Sequence, residues 1–211
     1  MKDESPEQIR LRISAKRKSL EPEWITQTSP FIVERFFEGL ADKAQGRTIN
    51  WSQMHIALYR TREGELDTSS LDAQLRTLGA ALYYPRIVDF NTSQFEVIRM
   101  AKNTPWVKGP YGIEEPPAAL PIADPATLDL VFIPGVAYGM KGERMGMGRG
   151  FYDRFLSRCT QAVRVALAFD FQLLPQLKQK SWDQPVHWVV TESRWAEGPD
   201  LETELERLFK K

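Results

Sequence analysis

The chain has 211 residues, one domain's worth or one domain with a small appendage, and is 42% hydrophobic and 27% charged, too apolar for a disordered protein. Its 28 Lys and Arg cancel its 28 Asp and Glu, so no global field exists to hold a polyanion, which argues against nucleic-acid or anionic-membrane partners. No apolar run approaches the ~20 residues of a membrane span, the single Cys159 excludes an intrachain disulfide, and two histidines make a Cys/His zinc site a poor reading.

Ser5-Pro6-Glu7-Gln8 predicts a helix start, with Ser5 as N-cap, Pro6 at the first helical position and Gln8 closing a capping box. That helix should run to about Leu20, with Ile9 and Ile13 apolar and Arg10, Arg12, Lys16, Arg17 and Lys18 around them. The tract Lys16-Arg17-Lys18 reads as a solvated face. Ser29-Pro30 repeats the start signal for a second helix through Val33, Phe36, Phe37 and Leu40. His55–Tyr59 is a short strand, and Thr68 or Ser69 caps a helix that carries Leu71, Leu75 and Leu78 and ends at Gly79. Ala81–Tyr84 and Phe95–Met100 follow as strands. Pro105, Pro110, Pro116, Pro117, Pro121 and Pro125 then make 101–127 an ordered loop over the surface or an edge.

Leu128–Pro134 is the best candidate for a buried strand. Five glycines (Gly139, Gly142, Gly146, Gly148, Gly150) lead into a helix near Phe151–Cys159, strands over Val163–Phe169 and Val186–Val190, and a last helix marked by Leu201, Leu205 and Leu208. The alternation predicts an α/β fold in a single domain, 1–211, with a mainly parallel sheet covered by helices on both faces. The start MKDESPEQIRLR has no apolar core behind its charges, so a secretory signal is not expected there and a cytoplasmic location is.

Between Lys141 and Arg158 five cations face Glu143 and Asp153, in a chain whose total charge is zero. A glycine loop beyond the carboxyl end of a buried strand, followed by a helix N-terminus, is suited to phosphate, and Asp153 to Mg²⁺. A glycine-rich connection with scattered charge is the plainer reading. The loop is G-x-G-x-G, neither a dinucleotide fingerprint nor a P-loop.

The longer string resembles the signature of the 5-formyltetrahydrofolate cyclo-ligase (5,10-methenyltetrahydrofolate synthetase) family. It runs Pro134-Gly135, then Gly142-Glu-Arg144-Met-Gly146-Met-Gly148-Arg-Gly150-Phe151-Tyr152-Asp153, with Leu156 three residues on. Arg10 with Leu20, Gly64-Glu65-Leu66-Asp67-Thr68, Tyr84-Pro85-Arg86, Ile113-Glu-Glu-Pro116, and Gln172, Pro175, Asp183 and Val189-Val190-Thr191-Glu192 extend the similarity over nearly the whole chain. The resemblance implies a three-layer α/β sandwich and an ATP- and Mg²⁺-dependent enzyme. Its reaction would turn 5-formyltetrahydrofolate into 5,10-methenyltetrahydrofolate and release ADP and phosphate. The formyl oxygen is first phosphorylated, and nitrogen 10 of the folate then displaces phosphate from an imidate-type intermediate. Such chemistry asks for positioning and charge neutralisation, not a protein nucleophile.

By the same resemblance, Arg10 and the loop Arg144, Met145, Gly146, Met147, Gly148, Arg149, Gly150, Phe151 and Tyr152 bind ATP. Arg149 and Asp153 are the catalytic pair, and Asp153 and Asp183 hold the metal. Arg60, Glu65, Tyr111, Phe151 and Tyr152 meet the folate, with Glu65 on the pterin donors. Each has a plainer reading. Glu65 is then a loop charge, Phe151 and Tyr152 are core, Asp153 complements a helix dipole and Asp183 is a turn residue. His55 and His187 read as core or edge histidines, and Cys159 as a helix-face residue.

Three departures stand out: Pro6 where many members carry a lysine, Gly139 in place of an aspartate, and a large polar Arg60. A non-catalytic folate or nucleotide binder, a sugar-phosphate isomerase or transferase on a similar α/β scaffold, and an RNA-binding module are the competing functions. A monomer without nucleic-acid or membrane partners is expected.

Overall fold

A computed structural model describes residues 4–109 and 112–210. Helix α1, Pro6–Lys18, opens on the expected capping box: Gln8 N–H donates to Ser5 Oγ (3.3 Å) and Ser5 N–H to Gln8 Oε1 (2.8 Å). Helix α2 departs from expectation. It spans Pro22–Ala44, with Pro22 in its first turn and Pro30 inside it. Ser29 is buried and its Oγ accepts from Asp67 N–H (3.0 Å), so it makes a tertiary bond and caps nothing. An interior proline costs a helix about 3 kcal/mol. The stripe Ile32, Val33, Phe36 and Leu40, packed into the core, outweighs that.

Strand β1 (His55–Ala57) and helix α3 (Ser69–Thr77) follow, then β2 (Ala81–Asp89) and β3 (Gln94–Arg99) as an antiparallel hairpin. Strand β2 outruns its expected end because Pro85 lies beyond the last β1 register pair, Ala57–Tyr83, where its missing N–H takes nothing from β1. In the proline-rich stretch, β4 (Val107–Lys108) and β5 (Glu114–Glu115) form a small ribbon, and β6 (Ile122–Ala123) pairs with β3 at the sheet edge. Next come β7 (Leu130–Phe132), β8 (Ala137–Gly139), β9 (Arg144–Met145) and α4 (Phe151–Leu156). The chain closes with β10 (Val163–Leu167), β11 (Leu173–Leu174), β12 (Trp188–Val190), β13 (Trp195–Glu197) and α5 (Leu201–Phe209).

The main sheet has eight strands in the order β13-β12-β10-β7-β1-β2-β3-β6. Its centre, β12 through β2, is parallel and the outer strands are antiparallel. Side chains alternate between the two faces. Ile56, Leu82, Leu130, Phe132, Val165, Trp188 and Val190 meet the apolar stripes of α2, α3 and α5. On the other face, the smaller Ala57, Val131, Ala166 and Val189 leave room for Phe95, Tyr138, Phe155 and Leu156. This is a mixed α/β fold around a large, mostly parallel sheet.

A three-stranded sheet, β11-β8-β9, was not legible, since each strand is two or three residues long. Ile13 of α1 packs on it with Val136, Ala137, Met145 and Leu177. Helix α4 stops at Leu156, short of the expected Cys159. Cys159 is buried instead, its thiol donating to Phe155 O (3.4 Å) and pushed up to about 12 by burial.

Candidate active site

A cavity of about 510 Å³ opens where the chain leaves the carboxyl ends of β1 and β7, the expected ligand position in a parallel sheet. Its wall includes Arg10, Arg60, Glu65, the whole loop 144–153 and Asp183, so the expected site residues converge. Tyr111 lies outside the described residues. Among the described residues, eight cations line this cavity against five carboxylates.

Helix α1 lies across the glycine loop. Arg10 Nε donates to Gly146 O (3.0 Å), and Gly148 (φ +89°) turns beneath the Arg10 guanidinium in a conformation that a side chain would strain. Arg17 corrects the reading of a solvated basic face. Its side chain is 11% exposed, Nε donates to Gly64 O (2.9 Å), and Nη2 pairs with Glu65 Oε1 (3.1 Å). Arg62 N–H donates to Glu65 Oε2 (3.0 Å). Glu65 is therefore a fixed, inward carboxylate and no loose loop charge. The signal was present in the spacing: Arg10, Ile13 and Arg17 share one helical stripe, and Ile13 is buried.

Arg144 and Asp153 are paired, Nη2 to Oδ1 at 2.6 Å, with Arg144 4% exposed. Gln184 N–H also reaches Asp153 Oδ1 (3.3 Å), which brings Asp183 beside Asp153. Asp183 Oδ2 accepts from Lys180 N–H (2.8 Å), so the turn reading of Asp183 is correct as far as it goes. Asp153 Oδ2 makes no hydrogen bond to the described residues. Among those residues no group of three or more His, Cys, Asp or Glu could cage a metal. Two neighbouring carboxylates with open oxygens do fit Mg²⁺, which keeps several waters and completes its shell on phosphate.

Helix α4 has six residues, so its dipole contributes little, and the positive charge at the cavity comes from the arginines and lysines. Arg149 places its guanidinium 4.2 Å from the Phe90 ring centroid. Phe151 and Tyr152 line the cavity and also pack on Phe95 at 6.3 and 5.3 Å, as the core reading expects. Burial, with the Glu65 charge adding, holds the Tyr59 and Tyr152 phenols above their ordinary range, so both remain protonated donors. Arg60 is held at the rim by Glu114, Nε and Nη2 to Oε2 at 2.8 and 2.6 Å. Glu115, unassigned from sequence, also lines the cavity. It accepts from Ile87 N–H (3.2 Å), and burial raises its pKa.

The sequence model of the 5-formyltetrahydrofolate cyclo-ligase family matches residues 2–192. The chain belongs to that family. A 5-formyltetrahydrofolate cyclo-ligase from Haemophilus influenzae is 33% identical over 142 residues, 64% of this chain and 74% of that protein. One from Mycolicibacterium smegmatis is 27% identical over 198 residues, covering 92% and 97%. The solved structure of Aquifex aeolicus 5,10-methenyltetrahydrofolate synthetase superposes with a TM-score of 0.75 at 26% identity, over 92% of this chain and 93% of that one.

One of the departures, Gly139, acquires a physical explanation. At Gly139 a Cβ would collide with Glu143 Oε2 and come within 2.7 Å of Glu143 Cδ. The Glu143 carboxylate fills that space and accepts from Lys141 N–H (3.0 Å). Pro6 lines the cavity, and so do Lys178 and Lys180. Arg12 is no substitute for a lysine at position 6, because it pairs with Glu4 (3.0 and 2.7 Å) away from the cavity. Lys2, the other candidate, lies outside the described residues.

Proposed function

We propose that the chain converts 5-formyltetrahydrofolate to 5,10-methenyltetrahydrofolate, consuming MgATP and releasing ADP and phosphate. One observation carries the reading: a single cavity joins the cationic glycine loop to a fixed carboxylate, Glu65, as a phosphoryl transfer onto a pterin-bound formyl group requires. Glu65, oriented by Arg17 and Arg62 N–H, accepts from the ring N–H and amino group of the pterin. Phe151 and Tyr152 cover the apolar side of the folate. Arg10, Arg149 and Lys180 neutralise the triphosphate, and the glycine loop lets backbone amides approach it.

Asp153 and Asp183 would hold Mg²⁺, which when bound neutralises charge on the transferred phosphoryl group. Arg144 fixes Asp153 in place for that role. The formyl oxygen attacks the terminal phosphorus and ADP departs. Nitrogen 10 then attacks the activated carbon and gives up its proton to water or phosphate, and phosphate leaves with the former formyl oxygen. The chain's contribution is to hold both substrates in line and exclude water. The cavity is built by one chain, which suits a monomer, and the apolar clusters on both sides of the sheet suit the family's three-layer sandwich.

The reading is tested by separating the two half-sites with calorimetry. Glu65→Gln turns one acceptor into a donor facing donors, so folate affinity should fall roughly a hundredfold while ATP binding holds. Asp153→Asn should lower turnover far more than folate affinity. Equal folate affinity for wild type and Glu65→Gln would overturn the pterin assignment.

A further inference from the structure

The two carboxylates read as metal ligands stand on different segments. Asp153 is in α4, and Asp183 lies in the strap between β11 and β12, which forms no helix or strand of its own. Mg²⁺ demands near-octahedral geometry, so its binding depends on how the two segments are held relative to each other. Arg164, in β10 and outside the cavity wall, touches both. Its Nη2 donates to the carbonyl of Leu156, the last residue of α4 (3.3 Å), and its Nη1 to Oε1 of Gln184, the neighbour of Asp183 (3.0 Å). Gln184 N–H in turn reaches Asp153 Oδ1 (3.3 Å) and closes the ring of contacts.

The base of Arg164 is fixed on the sheet. Its N–H donates to His187 Nδ1 (3.1 Å), and its carbonyl accepts from His187 N–H (2.8 Å). The guanidinium makes no ion pair among the described residues, and its Nε is buried without a hydrogen-bond partner there. Glu204, whose field reaches it, pairs with Arg207 instead (2.6 Å). Burial accordingly holds the Arg164 pKa below the usual guanidinium value. A buried cation without a carboxylate costs stability relative to an apolar side chain of similar size, so packing does not account for an arginine here. What its two bonded nitrogens accomplish is to join α4 to the strap.

We infer that Arg164 is a positioning residue for the Mg²⁺ site, clamping the strap that carries Asp183 to the helix that carries Asp153. The inference rests on the metal reading of those two carboxylates above. Arg144, in the cavity wall, fixes Asp153 itself. Arg164 fixes the segment of Asp153 relative to that of Asp183.

The test titrates Mg²⁺ in turnover and measures ATP affinity by calorimetry, once with Mg²⁺ and once with EDTA. Arg164→Met keeps the apolar stem, and matched thermal melts check that it folds. It should raise the Mg²⁺ concentration for half-maximal turnover by about tenfold and shrink the Mg²⁺-dependent gain in ATP affinity by a similar factor. ATP affinity in EDTA and folate affinity should hold. Arg164→Lys, which keeps the charge but lacks the fork that reaches both acceptors, should fall between. Arg158→Met, whose guanidinium pairs with Glu96 instead, should change none of these. Should Arg164→Met melt early, Gln184→Ala decides with the same shifts expected, because it removes the side-chain acceptor on the strap and leaves β10 intact. An unchanged Mg²⁺ titration in a folded variant, or equal losses for folate, ATP in EDTA and MgATP, overturns the clamp while the metal site stands. If neither turnover nor ATP affinity of the wild type depends on Mg²⁺, the metal reading itself falls and takes the clamp with it.

Discussion

Replacing Arg17 by methionine keeps the length and apolar stem of the side chain while removing its charge and its two bonds, to Gly64 O at 2.9 Å and to Glu65 Oε1 at 3.1 Å. Both partners sit on the turn that presents Glu65, so the change unties α1 from that turn. A hydrogen bond involving a charged group is worth about 1.5–3 kcal/mol in place, and the Arg17 and Glu65 side chains are only 11% and 18% exposed, so screening is modest. A stability loss of about 2–4 kcal/mol is expected, measured by denaturant unfolding. Folate affinity should drop by about ten- to a hundredfold, because the carboxylate must be ordered at the moment of binding. ATP affinity should change far less. Lys16→Met and Lys18→Met, flanking it on the same helix, should change stability by less than about 0.5 kcal/mol. A double-mutant cycle with Glu65→Gln should show coupling of at least about 1 kcal/mol in folate binding. The reasoning fails if Arg17→Met cannot be told from its two neighbours, or if its effect adds independently to that of Glu65→Gln.

Gly139→Ala should destabilise the chain by about 1–3 kcal/mol by displacing the Glu143 carboxylate from Lys141 N–H, and Glu143→Ala in the same chain should recover part of that loss; denaturant midpoints decide, and strict additivity refutes the exchange. His187 is buried, accepts from Arg164 N–H through Nδ1 (3.1 Å), and has its pKa lowered to about 4, chiefly by burial and then by Arg164 and Arg207. The unfolded chain therefore binds the extra proton first, so up to about 3 kcal/mol of stability should be lost as pH falls from about 6.5 to about 4, and His187→Asn, which keeps an acceptor, should flatten that limb. Lys180→Ala should raise the ATP concentration needed for half-maximal turnover several-fold and leave folate affinity alone, while Arg12→Ala should do neither; the reverse pattern rejects the assignment of phosphate to Lys180.

Much of the site was readable because its chemistry is concentrated in one continuous stretch. From Pro134 to Asp153 the glycine spacing, arginines and aspartate stand in order, and the capping box at Ser5 and the alternation of strands with helices needed only local rules. What escaped depends on distance in the chain. Arg17 looks like its neighbours until the fold shows Glu65 opposite, 48 residues away in number. Ser29-Pro30 carries a valid start signal, overridden because α2 buries Ser29 against the turn before α3. The carboxylate at Glu143 filling the space over Gly139 is invisible to a position-by-position reading, since it arrives from the facing turn of a two-residue ribbon. A second cavity of about 380 Å³ is assembled from residues of α3, β2 and the stretch after β3, which lie far apart in the chain.

The central claim is most directly tested by mixing the purified chain with 5-formyltetrahydrofolate, Mg²⁺ and ATP and following the methenyl product by its near-ultraviolet absorbance. Absorbance should rise in step with ADP release and should stay flat when ATP is omitted. No rise at saturating MgATP, with calorimetry showing both substrates bound, would contradict the account and make the chain a binder that does not turn over.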